Sequence, residues 1–197
     1  MVSKWRCKDL TMTKEESNKR RILIEYAEEF NLSVFVETGT YKGDTVKAMA
    51  RSKLFSEIHT IEVYKDRADA ASHRYRNFDY IHCWNGDSAD ILPYIVPGIK
   101  SPILFWLDAH HSGKQIARER GLINTPILAE LECALQHDEM DVILIDDVRY
   151  FDEFGELYDN YPSMQQVRDL VTKYRPNWVF DNFGDIIRTH RRRGTDV

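Results

Sequence analysis

Apolar positions along the chain follow two alternating patterns. Short apolar runs occupy 33–37, 58–62, 79–84, 102–108 and 141–146. Between them, stretches near 44–53, 65–76, 88–95 and 126–137 place apolar residues at helical spacing. Such alternation predicts an α/β fold, a mostly parallel central sheet with helices on both faces. Upstream, Thr13-Lys14-Glu15-Glu16 has the form of a capping box, and Ile22, Leu23, Tyr26, Ala27 and Phe30 recur with helical periodicity, so a helix precedes the first strand. Downstream, Ser163 begins a second cap for a helix to about Tyr174, after which Trp178-Val179-Phe180 and Ile186-Ile187-Arg188 flank a turn around Gly184. So short a connection makes that pair an antiparallel hairpin. No repeat, low-complexity tract or linker divides the 197 residues, which read as one domain with a mobile active-site loop at 112–124.

Composition narrows the classes. With 43% hydrophobic and 12% aromatic residues the chain can build a sizeable core. A net charge of −5 argues against broad binding to nucleic acid or anionic membranes, and Arg191-Arg192-Arg193 is either a local anion contact or a solvated basic tail. Cys7, Cys83 and Cys133 form no C-x-x-C pair and fit idle thiols in a reducing compartment. Neither a signal-peptide core nor a run of roughly 20 apolar residues occurs, so the expectation is a cytoplasmic protein without a membrane anchor. Association into a homo-oligomer stays open.

The chemistry begins at Val34-Phe35-Val36-Glu37-Thr38-Gly39-Thr40-Tyr41-Lys42-Gly43-Asp44-Thr45, where an apolar strand breaks into a glycine-containing turn and then a helix. Glycines there admit a ligand close to the backbone, and the helix start offers unpaired N–H groups. The next apolar run ends in Glu62, suited to accept hydrogen bonds from a ribose diol. A dinucleotide fingerprint would read G-x-G-x-x-G, whereas these glycines stand as Gly39-x-x-x-Gly43. S-adenosylmethionine (SAM), which carries no phosphates, fits this turn better than a pyrophosphate cofactor.

Two later strands end in carboxylates. Pro102-Ile103-Leu104-Phe105-Trp106-Leu107 runs into Asp108-Ala109-His110-His111-Ser112-Gly113, and Val142-Ile143-Leu144-Ile145 into Asp146-Asp147. In an open α/β sheet such ends converge on the ligand crevice. Three carboxylates so placed need raised pKa values or a cation, and their oxygens suit hard Mg²⁺, with Ca²⁺ or Mn²⁺ as alternatives. A single aspartate at a strand end equally caps a helix or starts a turn. His111 is a candidate general base or further ligand, as is His110, and either can instead be a hydrogen-bonded structural residue. Asp87 and Ser88 stand where they can border an adenine or cap the next helix. Lys114, Arg118 and Arg120 read as an anion clamp or as a solvated loop.

These motifs, over roughly residues 33–150, resemble the metal-dependent class I O-methyltransferases, a family that includes catechol O-methyltransferase and bacterial sugar and natural-product enzymes. The resemblance implies a Rossmann-like fold closed by a C-terminal hairpin. It also implies a first motif over Glu37–Thr45 in which Gly39, Tyr41 and Thr45 surround the methionine part of SAM, with Glu37 and Gly43 in the same motif. Glu62 would hold the ribose, the segment 86–93 with Asp87 and Ser88 would border the adenine, and Asp108, Asp146 and Asp147 would bind the metal, with Asp108 also touching the cofactor and the reacting centre. Two positions depart from the pattern: His111 stands where the family has a lysine base, and Asp146-Asp147 replaces the Asp-Asn common in catechol enzymes. The implied activity is O-methylation of a hydroxylated small molecule, a sugar, a natural product or a catechol-like phenol. RNA or protein methylation is a second reading, against which the missing N-P-P-Y-type loop weighs. A cofactor-binding interaction module without turnover is a third.

Overall fold

A computed structural model of the chain describes residues 14–108, 125–137, 139–151 and 161–192. The first helix, α1 (Lys14–Phe30), leads into β1 (Val34–Thr38), α2 (Asp44–Ser52), β2 (Glu57–Glu62), α3 (Lys65–Tyr75), β3 (Ile81–Asn85) and α4 (Ser88–Ile95). There follow β4 (Ile103–Leu107), α5 (Ile127–Gln136), β5 (Val142–Asp146), α6 (Met164–Tyr174) and the hairpin β6 (Trp178–Phe183) and β7 (Ile186–Arg191). The elements expected from periodicity are present, with ends displaced by up to three residues, the most in the two hairpin strands. Thr13 and its capping box lie outside the described residues. The Ser163 box forms as expected, Ser163 Oγ accepting from the Gln166 amide and Gln166 Oε1 from that of Ser163.

Among the described residues the sheet has seven strands in the order β3-β2-β1-β4-β5-β7-β6. β1 to β5 are parallel, while β7 runs antiparallel to both β5 and β6. Chain order reverses between β1 and β4, and at such a switch point the diverging connections leave a crevice above the strand carboxyl ends.

Strand pleating sends alternate residues to opposite faces, and two cores result. Phe35, Ile58, Leu104 and Leu144 pack with Leu23 of α1, Met49 of α2 and Tyr75 of α3. Val36, Ile61, Phe105 and Ile143 pack with Leu92 of α4, Leu131 of α5 and Val167 of α6. Both β1 and β4 are buried along their whole length, which explains their uninterrupted apolar runs. No helix among the described residues is long and apolar enough to cross a membrane.

Candidate functional site

The turn after β1 is fixed by its neighbours. The amides of Gly39 and Thr40 both donate to the carbonyl of Ile61, at 2.9 and 3.1 Å, docking the turn on the end of β2. Gly39 (φ 85°), Tyr41 (φ 46°) and Gly43 (φ 69°) take left-handed conformations, which cost glycine little and tyrosine more. Glu62 offsets that cost: its Oε2 accepts the Tyr41 amide at 2.8 Å and its Oε1 the Tyr64 amide at 2.9 Å. Each carboxylate oxygen keeps a second lone pair, so Glu62 can latch the turn and still receive a ribose diol.

Glu37 lies below this turn. It is 2% exposed, accepts a hydrogen bond from Thr60 Oγ1 at 2.7 Å, and burial pushes its carboxyl up to about 8. The Thr45 hydroxyl and the Arg20 charge oppose that rise. Gly43 turns toward α3 instead. A Cβ there would meet Arg74 Nη1 at 3.2 Å and Tyr75 Oη at 3.3 Å. Asp87 caps α4 by accepting from the Ala89 amide at 2.9 Å, and Ser88 is buried beside it. The helix-cap role weighed for that pair is therefore in place.

At the ends of β4 and β5 the expected convergence occurs. One carboxylate oxygen each from Asp108, Asp146 and Asp147 lies within 4.8 Å of the others. Asp147 holds a left-handed conformation (φ 63°, ψ 50°), and its amide donates to Asp146 Oδ1 at 2.8 Å, fixing the Asp146 side chain against the Asp147 backbone. Burial, then the charges of Asp108 and Asp147, raise Asp146 to about 7. Such a donor set, three hard oxygens at the spacing of one coordination sphere, fits a divalent cation such as Mg²⁺.

Charged residues that no motif in the sequence points to surround the site. Lys19 of α1 places its Nζ 2.5 Å from Asp146 Oδ1 and 3.5 Å from both Asp147 Oδ1 and Asp185 Oδ2. Burial works against its charge, but Asp146, Asp147 and Asp108 outweigh it and the net direction is upward. Lys19 is thus a firmly held ammonium. Arg149 pairs with Asp147 Oδ1 at 2.7 Å and with Asp185. Arg20, Lys19 and Leu23 of α1 line one wall of a cleft of about 530 Å³, and Gly39, Thr40, Tyr41 and Thr45 line it from the turn, with Trp106 and the three aspartates also on its surface. Away from the cleft surface, Glu130 on α5 is wholly buried, with neither carboxyl oxygen hydrogen-bonded. Burial pushes it up to about 8, tempered by Ser88 and Thr38. His110, His111 and the loop 112–124 lie outside the described residues.

The arrangement can hold a ribose-bearing ligand at Glu62 and a cation at the aspartates, with the cleft between them. A second group, Glu57 with His59 and His82, also gathers within 4.8 Å. There, however, Trp84 Nε1 donates to His59 Nδ1 at 3.1 Å, which leaves the proton on Nε2 for Glu57 at 2.9 Å. A ligating histidine donates through its far nitrogen, so this group is a structural one.

No protein-family model and no curated protein matches the sequence. Solved structures do match in fold. An O-methyltransferase from Bacillus cereus in complex with SAH superposes with a TM-score of 0.65 at 21% identity, covering 92% of this chain and 83% of that one. The O-methyltransferase TomG from Streptomyces achromogenes, involved in tomaymycin synthesis and solved with SAM, gives 0.60 at 19% identity, covering 94% and 83%. The N-methyltransferase NodS from Bradyrhizobium japonicum gives 0.56 at 10% identity, covering 89% and 96%. The chain therefore has the Rossmann-like fold of SAM-dependent methyltransferases, as its motif order implied.

Proposed function

We propose that the protein is a SAM-dependent, divalent-metal-assisted O-methyltransferase acting on a hydroxylated small molecule, a sugar, a natural product or a catechol-like phenol. The observation that carries this reading is the gathering of Asp108, Asp146 and Asp147 beside the turn that Glu62 latches. In this reading Glu62 accepts the ribose diol, Gly39, Tyr41 and Thr45 flank the methionine part, and Asp87 and Ser88 border the adenine. Glu37 and Gly43 shape the turn from beneath and behind.

Bound there, SAM supplies a methyl group already activated by its sulfonium, so holding the acceptor oxygen in line accounts for much of the rate. Asp108, Asp146 and Asp147 would hold the ion, whose contribution is Lewis-acid polarisation of an acceptor hydroxyl. Two adjacent hydroxyls would engage it best, which favours vicinal diols and catechols. His111, three residues after Asp108 in sequence, is the group we assign to take the hydroxyl proton. Free Cys83 and Cys133 suit a cytoplasmic setting.

The test is methyl transfer from labelled SAM to a panel of sugars, catechols and phenolic natural products, read by mass spectrometry. A labelled product that forms with Mg²⁺ and is lost in chelator supports the reading. SAM binding without transfer to any acceptor class would favour an interaction module, and labelled RNA or protein would redirect the assignment.

A further inference from the structure

Lys19 sets its ammonium against the carboxylates that would hold a divalent cation. Its ammonium contacts Asp146 and Asp147, two of the three proposed ligands, and its side chain is only 16% exposed. The two aspartates are not equally dependent on it. Asp147 and Asp185 are also neutralised by Arg149, whereas among the described residues Asp146 pairs with Lys19 alone. Removing Lys19 would therefore free Asp146 while leaving the neighbouring charges paired. A lysine ammonium and a divalent ion cannot share one carboxylate oxygen at contact distance, because like charges at that separation in a partly buried site repel strongly.

We propose that Lys19 is a built-in competing cation. It holds the carboxylates together in the metal-free protein, and a divalent ion must displace it, so metal binding is coupled to the first turns of α1, which wall the cleft. This inference rests on the metal-assisted reading above. The coupling has a direction. Once Lys19 leaves Asp146, the N-terminal half of α1 loses its partly buried tether to the ends of β5 and β7 and keeps the longer, exposed Glu15–Arg149 pair at 3.9 Å, while Leu23 and Ala27, deeper along the helix, remain buried in the core. The metal-loaded protein would then have a looser wall on the acceptor side, and the metal-free protein a latched one.

The experiment is Mn²⁺ titration of the metal-stripped full chain, followed by the electron paramagnetic resonance of free Mn²⁺, without SAM or acceptor. Lys19→Met keeps the apolar stem and removes the charge, and it should bind Mn²⁺ roughly tenfold more tightly than the native protein, a factor in the range of one charge-assisted contact. Lys19→Arg should show no such gain. Independently of any variant, saturating Mn²⁺ should speed deuterium exchange at residues 15–20 of the native chain. Equal or weaker Mn²⁺ affinity in a folded Lys19→Met, with the native protein binding normally, overturns the competition and leaves the metal reading standing. Unchanged exchange in Mn²⁺-loaded native protein does the same. If neither protein binds Mn²⁺, both readings fall, and Lys19 is the permanent cation of the site.

Discussion

The Tyr41 amide donates to Glu62 Oε2 at 2.8 Å across 21 residues of sequence, so the carboxylate assigned to the ribose is also the clasp of the turn beneath the cofactor. A left-handed tyrosine is costly on its own, and the clasp holds it there. Binding and turn geometry are therefore carried by the same side chain. Glu62→Ala should weaken SAH binding by roughly 1.5–3 kcal/mol, the scale of hydrogen bonds to a charged group. Glu62→Gln should recover part of the clasp yet present one amide NH₂ to a backbone donor, and so bind at an intermediate level. Calorimetry against SAH checks both, and an unaltered affinity in a folded Glu62→Ala would move the ribose elsewhere.

Gly43 offers a test of the turn that leaves the carboxylates untouched. Its φ of 69° lies in the left-handed region, and its carbonyl accepts from Tyr75 Oη at 2.8 Å. An added Cβ would press on Arg74 Nη1 at 3.2 Å and on the buried Tyr75 Oη at 3.3 Å, both hydrogen-bonded to the turn, and this crowding adds to the backbone strain. Gly43→Ala should lower unfolding stability by about 1–2 kcal/mol in a urea titration, with weaker SAH binding as the turn shifts.

Most of the frame was legible because each strand buried on both faces announces itself as an apolar run and each helix keeps its spacing. The convergence of Asp108 with Asp146-Asp147 was legible too, since both sit at carboxyl ends of strands that the topology makes neighbours. Lys19 was not, because a lysine in an amphipathic helix reads as solvent-facing. One signal was there: Lys19 stands four residues before Leu23 and eight before Ala27, on the stripe that α1 buries. Glu130 carries the same signal, lying between Ile127 and Leu131 on the buried face of α5. Asp185 offered none, since an aspartate after Gly184 is ordinary turn chemistry. Its place beside Arg149 depends on β7 pairing with β5, which no local pattern specifies.

The carboxylate centre predicts a separation of roles. Asp146→Ala and Asp108→Ala should each abolish Mg²⁺-dependent turnover and lower Mn²⁺ affinity, because each removes one of three hard oxygens. SAH affinity should survive in Asp146→Ala, since Glu62 and the turn lie on β1 and β2. Asp147→Ala should be impaired as well, and Arg149 would lose a partner with it. Turnover by the native protein with trace metal verified absent would rule the metal out.

Glu130 makes a prediction about stability and pH that is independent of catalysis. Its carboxyl is wholly buried on α5, neither oxygen is hydrogen-bonded, and burial raises it from 4.5 to about 8. The folded protein thus keeps a proton there that the unfolded chain gives up in mild acid. Because the folded value lies above the unfolded one, the associated stability is fully present below about pH 4.5 and is lost as pH rises through about 8. Glu37, raised to a similar value, and Asp146, raised to about 7, contribute slopes of the same sign, so the native protein alone cannot separate them. Glu130→Gln can. The amide keeps the shape of the protonated acid and cannot ionise, so the variant should match the native protein near pH 5 and exceed it progressively toward pH 8.5 in denaturant titrations. SAH affinity serves as the control: it should be unchanged at pH 5 in the variant, since Glu130 lies beneath Ser88 and Thr38 rather than on the cleft surface. Parallel stability curves for the two proteins across this range would show that Glu130 is ionised in the fold, with Ser88 and Thr38 turned to solvate it.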